Sequence, residues 1–159
     1  MPYLRRLSEF FLSIFLRFDW VPTVVAPDEP ATRYIFDKDH FSEGKGVVKY
    51  AAFLPSKKTG DISVYRVKKC SEWRIWALGK HFVGRLRLDN VILCARADLP
   101  ARAFVQQGLR VIAKKRPHQR HAIVNGWPGE KAGQRVKAIA LARDSVLVVK
   151  PRSANINDK

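Results

Sequence analysis

Asp61-Ile62-Ser63-Val64-Tyr65-Arg66-Val67 predicts a strand, because β-branched and aromatic residues make up most of it. Val47–Leu54 has a similar character, and the segment between the two stretches contains Pro55 and Gly60, which favour a turn. We therefore predict a β-hairpin. It would hold four lysines close together: Lys57, Lys58, Lys68 and Lys69.

The remaining elements follow from similar patterns. Short apolar or aromatic runs predict further strands at Arg33–Phe36, Leu88–Ala95, Leu109–Ala113, His121–Val124 and Val146–Val149. Apolar residues at helical spacing predict a last helix over residues 129–143. Roughly five or six short strands with three or four helices favour an α+β fold with a small mixed or antiparallel sheet.

Two further helices are predicted from residues that suit helix ends. Ser71 is suited to cap a helix that Gly79 would end. Asp98 is suited to cap a second helix, with Pro100 in its first turn and Gly108 as its stop.

The N-terminal region differs from the rest of the chain. Residues 3–18 place apolar side chains at three- and four-residue steps, which predicts an amphipathic helix that packs on this domain or binds a partner protein or a membrane surface. The apolar run is shorter than the roughly 20 residues that span a bilayer. The predicted organisation is a helix at 1–20, a proline-containing linker at 21–31, a basic domain at 32–149 and a flexible tail at 150–159.

Charge is the feature that bears most directly on function. The chain has 30 Lys and Arg residues against 14 Asp and Glu, a formal net charge of +16. Such a surplus attracts polyanions, and cations that neutralise phosphates release counterions from a nucleic acid. We expect nucleic acid, RNA or DNA, as the partner. A surface that only confers solubility or complements an acidic protein is the alternative.

The two cysteines, Cys70 and Cys94, lie far apart and show no paired spacing. This favours free thiols in a reducing, cytoplasmic location, with a single bridge between them left open.

Basic clusters and one tryptophan are the candidate contacts to nucleic acid. Trp127 lies in a glycine- and proline-rich turn, where a large aromatic side chain covers the core or faces a ligand. The helical spacing of Trp73 and Trp76 beside Ile75 favours core positions for both. We predict nucleic-acid contacts at Lys57, Lys58, Lys68, Lys69, Lys114, Lys115, Arg116, Arg120 and Trp127.

The segment Arg116-Pro117-His118-Gln119-Arg120-His121 is the best candidate for chemistry, because imidazoles exchange protons near neutral pH and guanidiniums bind phosphate. A catalytic role for His121, assisted by Arg66 or Arg96, is weighed against a hydrogen-bonding or phosphate-contacting one. The sequence lacks phosphate-binding glycine loops and paired metal-ligand motifs, so we expect neither a cofactor nor a metal.

Several segments together resemble a group of small uncharacterised bacterial proteins. They are Arg33–Phe36, His40–Ser42, Ala52–Pro55, Ser63–Arg66, Ile75–Gly79, Arg96–Asp98 and His121 with Gly126-Trp127-Pro128. The resemblance covers residues 32–142 and implies a shared domain, with no activity established for the group. Its polar members are residue types suited to a phosphate or a small anion, and pairing of the predicted strands would bring them together in one site: Arg33, His40, Ser63, Arg66, Arg96 and His121.

Three functions are therefore open. The first is a basic nucleic-acid-binding accessory protein with mainly phosphate-backbone contacts. The second is a small metal-independent nuclease or nucleotide-modifying effector that uses His121. The third is an interaction subunit that docks on a protein partner through residues 3–18.

Overall fold

The computed structural model describes residues 14, 19–84 and 92–151. These residues contain eight strands and three α-helices. The strands are β1 (Pro30–Ile35), β2 (Phe41–Ser42), β3 (Val47–Val48), β4 (Ile62–Arg66), β5 (Ala95–Pro100), β6 (Arg110–Ala113), β7 (His121–Asn125) and β8 (Val146–Val149). The helices are α1 (Glu72–Leu78), α2 (Ala101–Gln106) and α3 (Lys131–Asp144), with 3₁₀ turns at Lys38–His40 and Tyr50–Phe53 and a π-helical turn at Gly79–Val83.

Six of the strands form one antiparallel sheet in the order β6-β7-β4-β1-β5-β8, and β2 pairs with β3 separately. The predicted α+β fold is therefore confirmed. Side chains alternate between two buried faces of the large sheet. One, the α2/α3 face, packs against Phe53, Phe104 and Leu141. The other, the α1 face, packs Tyr34 against Leu78.

The hairpin predicted from Val47–Leu54 and Asp61–Val67 is wrong. β3 ends at Val48 and pairs with β2, and the chain then enters the 3₁₀ turn that buries Phe53. The Nε of Arg33 donates to the carbonyl of Ala52 (3.1 Å). The turn is therefore held by a side-chain hydrogen bond and not by pairing with another strand. β4 is buried on both faces, and it pairs with β1 on one side and β7 on the other.

The helix predicted at Ser71 is confirmed as α1, and the Ser71 hydroxyl accepts a hydrogen bond from the Arg74 amide (3.4 Å). Gly79 does not end it, because its φ of −60° is helical and the chain continues into the π-helical turn. A Cβ at Gly79 would lie 2.6 Å from Cε1 of Tyr34. Glycine is therefore needed here for space and not as a helix stop.

Asp98 does not cap α2. It lies within β5 opposite Thr32, whose hydroxyl donates to the Asp98 carboxylate. Pro100 occupies the N-cap position of α2, without a side-chain hydrogen bond. Gly108, with φ of +70°, follows the end of α2 as predicted. The strand predicted at Leu88–Ala95 begins only at Ala95; residues 92–94 are not strand, and 88–91 lie outside the described residues.

The strands predicted in the second half of the chain and the last helix are confirmed as β6, β7, β8 and α3. Cys70 and Cys94 are free. The predicted N-terminal helix falls on residues of which only Ile14, itself helical, is described. Within the described part of the chain, no helix has both the length and the apolar character needed to cross a membrane.

Candidate nucleic-acid interface

Basic side chains from two separate loops meet at one end of the large sheet. The end of β4 lies beside the start of β7, where the Arg66 amide donates to the Arg120 carbonyl (2.8 Å). The end of β6 reaches the same point, since the Lys114 amide donates to the His121 carbonyl (2.8 Å). The loops after β4 and after β6 therefore place five exposed cations here, which we call the basic rim: Lys68, Lys69, Lys114, Lys115 and Arg116.

The loop after β4 is a tight turn that leads into α1. The Cys70 amide donates to the Val67 carbonyl (3.0 Å), and Lys69 has a φ of +59°. The left-handed conformation costs a non-glycine residue about 1–2 kcal/mol. The turn therefore holds the Lys69 side chain at the rim despite a conformational penalty.

Arg120 differs from the other predicted nucleic-acid contacts because it is buried. Its Nη1 donates to the carbonyls of Arg66 (3.0 Å) and Lys68 (3.1 Å). Its Nε and Nη2 donate to the carboxylate of Asp19, which also accepts a hydrogen bond from Nη2 of Arg74 (3.1 Å). Arg120 therefore fixes the backbone beneath the rim, and its guanidinium is paired with a carboxylate that it shares with Arg74.

A cleft of about 380 Å³ opens in the loop after β6, lined by Lys115, Arg116, Pro117, His118 and Gln119. His118 is 3% exposed, and its Nδ1 accepts a hydrogen bond from the Arg120 amide (3.1 Å). The His118 ring also packs on Phe82, with the ring centroids 4.6 Å apart. Two cations thus flank a cleft with a well-packed base, an arrangement suited to a phosphate group.

His121 is the first residue of β7 and lies on the α1 face, directly behind the rim. It is 8% exposed, its ring centroid lies 5.5 Å from that of Tyr65, and its Nδ1 makes no hydrogen bond with a described residue. Burial lowers the pKa of His121, a shift that hydrogen bonding to the backbone of Arg116 and Lys114 partly opposes. A buried imidazole of this kind can accept a proton or simply pack in the core.

Lys57, Lys58 and Trp127 lie at the opposite end of the sheet from the basic rim. Ile62, the first residue of β4, pairs with Val124, so the loops before β4 and after β7 share that end. The five residues of β4 separate the two ends by roughly 17 Å. The expectation that all four hairpin lysines lie close together is therefore wrong.

Trp127 covers the core at that opposite end. It is partly buried against the α2/α3 face, and its indole N–H donates to the Val124 carbonyl (3.0 Å).

The six polar residues of the resemblance do not meet in one pocket. Strand alternation puts Arg33 and Arg66 on the α2/α3 face, Ser63, Arg96 and His121 on the α1 face, and His40 lies apart in a 3₁₀ turn. The Nε2 of His40 lies 3.7 Å from the Asp37 carboxylate.

Two arginines of this set bind protein groups on the α2/α3 face. Nη1 of Arg33 donates to the Ser63 carbonyl (2.9 Å). Arg66 is 1% exposed, and its Nε and Nη2 each lie 2.8 Å from a carboxylate oxygen of Glu29. Nη2 of Arg66 also donates to the Val24 carbonyl (3.0 Å). Both guanidiniums are thus engaged in holding loops to the sheet.

Arg96 is engaged in the same way on the α1 face. It forms a bidentate ion pair with Glu72 (2.7 and 2.8 Å), binds Asp98 (3.0 Å) and lies 4.8 Å from the Trp76 ring centroid. Burial opposes the charge of Arg96, but its hydrogen bonds to Glu72 and Asp98 prevail and raise its pKa. The same hydrogen bonds from Arg96 lower the pKa of Glu72.

Sequence reasoning missed the acidic partners of the buried arginines. Asp19 and Glu29 fall at or beside the ends of the proline-containing segment, yet their side chains are only 11% and 6% exposed. Their position was the available signal. Acidic residues near a mostly apolar segment, in a chain rich in arginine, are suited to pair with buried arginines.

The interpretation of Trp73 as a core residue is wrong, because it is 54% exposed. Trp76 is partly buried and packs against the core of the α1 face, as expected. On α1 the buried residues are Ile75, Ala77 and Leu78, which leaves Trp73 on the solvent side.

Among residues 14, 19–84 and 92–151, no group of three or more His, Cys, Asp or Glu side chains could hold a metal ion. Comparisons with protein-family models, with curated proteins and with solved structures found no match to this chain. The resemblance to small bacterial proteins therefore stays a prediction. The chain's own residues provide the basis for inferring its function.

Proposed function

We propose that this protein binds nucleic acid, RNA or DNA, through the phosphate backbone, with the basic rim as its contact surface. The observation that supports this most strongly is the meeting of two basic loops, Lys68–Lys69 and Lys114–Arg116, at one end of the sheet. The net charge of +16 adds a long-range attraction for polyanions.

The division of the positive charge also supports the rim as the contact surface. Arg66, Arg96 and Arg120 are buried and paired with carboxylates, so they contribute little to contacts with a partner. The five rim cations are exposed. Lysine and arginine side chains of this kind neutralise phosphates without reading bases, so we expect steep salt dependence and little sequence preference.

A pair of charge-reversal variants tests the proposal. K114E/K115E changes the rim, and K57E/K58E makes the same change of charge at the opposite end of the sheet. We expect K114E/K115E to weaken binding to labelled RNA and DNA about tenfold or more near 50 mM salt. Its plot of log affinity against log salt should also lose about two units of slope. K57E/K58E should retain most of the affinity.

Equal losses in the two variants would contradict the proposal, because they would show that net charge acts and the rim does not. Binding that does not change with salt, or that survives K114E/K115E, would contradict it as well. Circular dichroism of each variant establishes that the fold is intact.

His121 supports a second candidate, a small metal-independent nuclease or nucleotide-modifying effector. The observation that favours it is a buried imidazole whose Nδ1 makes no hydrogen bond with a described residue, next to the cleft at Arg116. Against it, Arg66 and Arg96 are occupied by carboxylates. Strand cleavage on a denaturing gel, abolished by His121→Ala with binding retained, would favour the enzyme; intact strands favour the binding protein.

A further inference from the structure

Two exposed tryptophans lie beside the basic rim. Trp20 is 86% exposed and Trp73 is 54% exposed, whereas Trp76 and Trp127 are partly buried and use their indole N–H groups to bind Glu72 and the Val124 carbonyl. Tryptophan is enriched at binding interfaces, so two exposed tryptophans near one charged surface are candidates for a binding site.

Contacts on either side place each of these tryptophans. Asp19 and Arg74 form an ion pair. Trp20 directly follows Asp19 and Trp73 directly precedes Arg74, so the Cα of each tryptophan lies about 3.8 Å from the Cα of one member of that pair. Asp19 also binds Arg120, which in turn donates to the Lys68 carbonyl (3.1 Å). The same buried carboxylate therefore ties both tryptophans to the basic rim.

The chain path gives the same placement. Lys69, at the rim, lies only four residues before Trp73, and the Ser71 cap fixes the start of α1 between them. The residues on either side of Trp73 are Glu72 and Arg74, both of which make ion pairs. Trp73 is thus an exposed aromatic side chain with charged residues on both sides in the chain, four residues after the exposed Lys69.

We infer that Trp20 and Trp73 stack on unpaired bases, so that single-stranded nucleic acid is the substrate class of this surface. The inference rests on the proposed phosphate contacts of the rim. Every base offers an aromatic face that a tryptophan can cover, whereas bases inside a duplex are stacked on each other and are not accessible. A surface that combines aromatic and cationic groups suits a strand in which bases alternate with phosphates.

A membrane surface is the other partner that tryptophan and lysine could suit. Binding at a bilayer interface needs a continuous apolar face along a helix. Glu72 and Trp73 are exposed on α1, and the exposed Lys80 follows on the π-helical turn. The surface around Trp73 is therefore charged. Charge complementarity with a phosphate chain therefore favours the nucleic acid.

Three ligands of equal length separate stacking from charge: a single strand, an abasic strand with the same phosphates, and a duplex. For the full-length protein we expect tighter binding to the single strand than to the other two. W20A and W73A should each weaken binding to the single strand about fivefold or more. Neither should change binding to the abasic strand. W20F/W73F, which keeps aromatic rings, should recover most of the loss.

Equal losses on the single strand and the abasic strand, or no loss on either, would overturn the inference. So would binding of W20A/W73A to the single strand at wild-type affinity together with lost binding to anionic lipid vesicles. K114E/K115E in the same series identifies which idea fails. If that variant binds the abasic strand as tightly as the wild type does, the proposed function is wrong; if it binds weakly while the tryptophan variants are unaffected, only the stacking inference is wrong.

Discussion

The buried arginines and the basic rim carry the same formal charge in two different environments. Arg66 and Arg120 are 1% and 7% exposed, and each binds a carboxylate of the segment that precedes β1. The rim cations lie in solvent at the same end of the sheet, in the loops after β4 and β6. Burying a charge is costly unless it is paired, so the buried arginines must be neutralised by the protein itself, while the rim is left to attract a partner.

This difference shows that the total charge of a chain does not tell which of its residues form a binding surface. Four arginines in the sheet and its loops, Arg33, Arg66, Arg96 and Arg120, bind backbone carbonyls or carboxylates. Their removal should change stability more than affinity. Removal of a rim lysine should do the reverse.

The largest expected effect comes from breaking the most buried pair. R66M should lower the free energy of unfolding by about 3–5 kcal/mol, because it leaves the Glu29 carboxylate buried without its partner. K68M, two residues away and exposed, should change stability by no more than about 0.5 kcal/mol. Urea unfolding of both variants measures the two values.

The double variant R66M/E29M sharpens this test. Replacing both partners by apolar groups removes the unpaired charge, so part of the R66M loss should return. An R66M protein as stable as K68M would mean that the ion pair with Glu29 contributes nothing, and the distinction between buried and rim charge would be lost.

A smaller effect is expected at the Arg96–Glu72 pair, where the Glu72 side chain is 61% exposed. E72Q should cost about 1 kcal/mol or less at neutral pH, because solvent screens the pair and glutamine still accepts a hydrogen bond from Arg96. The pKa of Glu72 is lowered in the fold, so its contribution is present above the ordinary glutamate pKa near 4.3 and is lost as pH falls through the lower folded value. Wild type and E72Q should therefore converge in stability in acid; a gap that widens there would contradict this.

Local sequence patterns predicted elements better than pairings. β8 and α3 were recognisable because their own residues specify them, by an apolar run and by helical spacing. β4 was recognised too, but its partners were not, since Ala31 and His121 lie far from it along the chain. A strand pattern shows that a strand needs neighbours and does not show which ones they are.

The candidate interface was predictable only in part for the same reason. The basic residues were visible in the sequence, but their grouping depends on the sheet order. That order places Lys68 and Lys114 at the same end of the sheet and Lys57 at the other end. Trp73 was misread because helical spacing does not say which side of a short helix faces the core. Asp19 was missed because its partner Arg120 is 101 residues away in sequence.

The smallest expected effect concerns His121, a buried titratable group immediately behind the rim. Its pKa is lowered by burial, so the folded protein binds a proton there less readily than the unfolded chain does. Stability from this residue is therefore present above the ordinary histidine pKa near 6.5 and is lost as pH falls through the lower folded value. Relative to the variant His121→Gln, the wild type should lose free energy of unfolding between about pH 7 and pH 5.

His40, whose side chain is 35% exposed, provides the control, because His40→Gln also removes one imidazole. Unfolding of wild type and both variants across this pH range isolates the contribution of burial. A stability difference for His121→Gln that does not change with pH would contradict it, as would an equal change in both variants. Binding to the abasic strand at pH 7 adds a second readout, since a residue that acts through folding alone should leave affinity unchanged while the protein is folded.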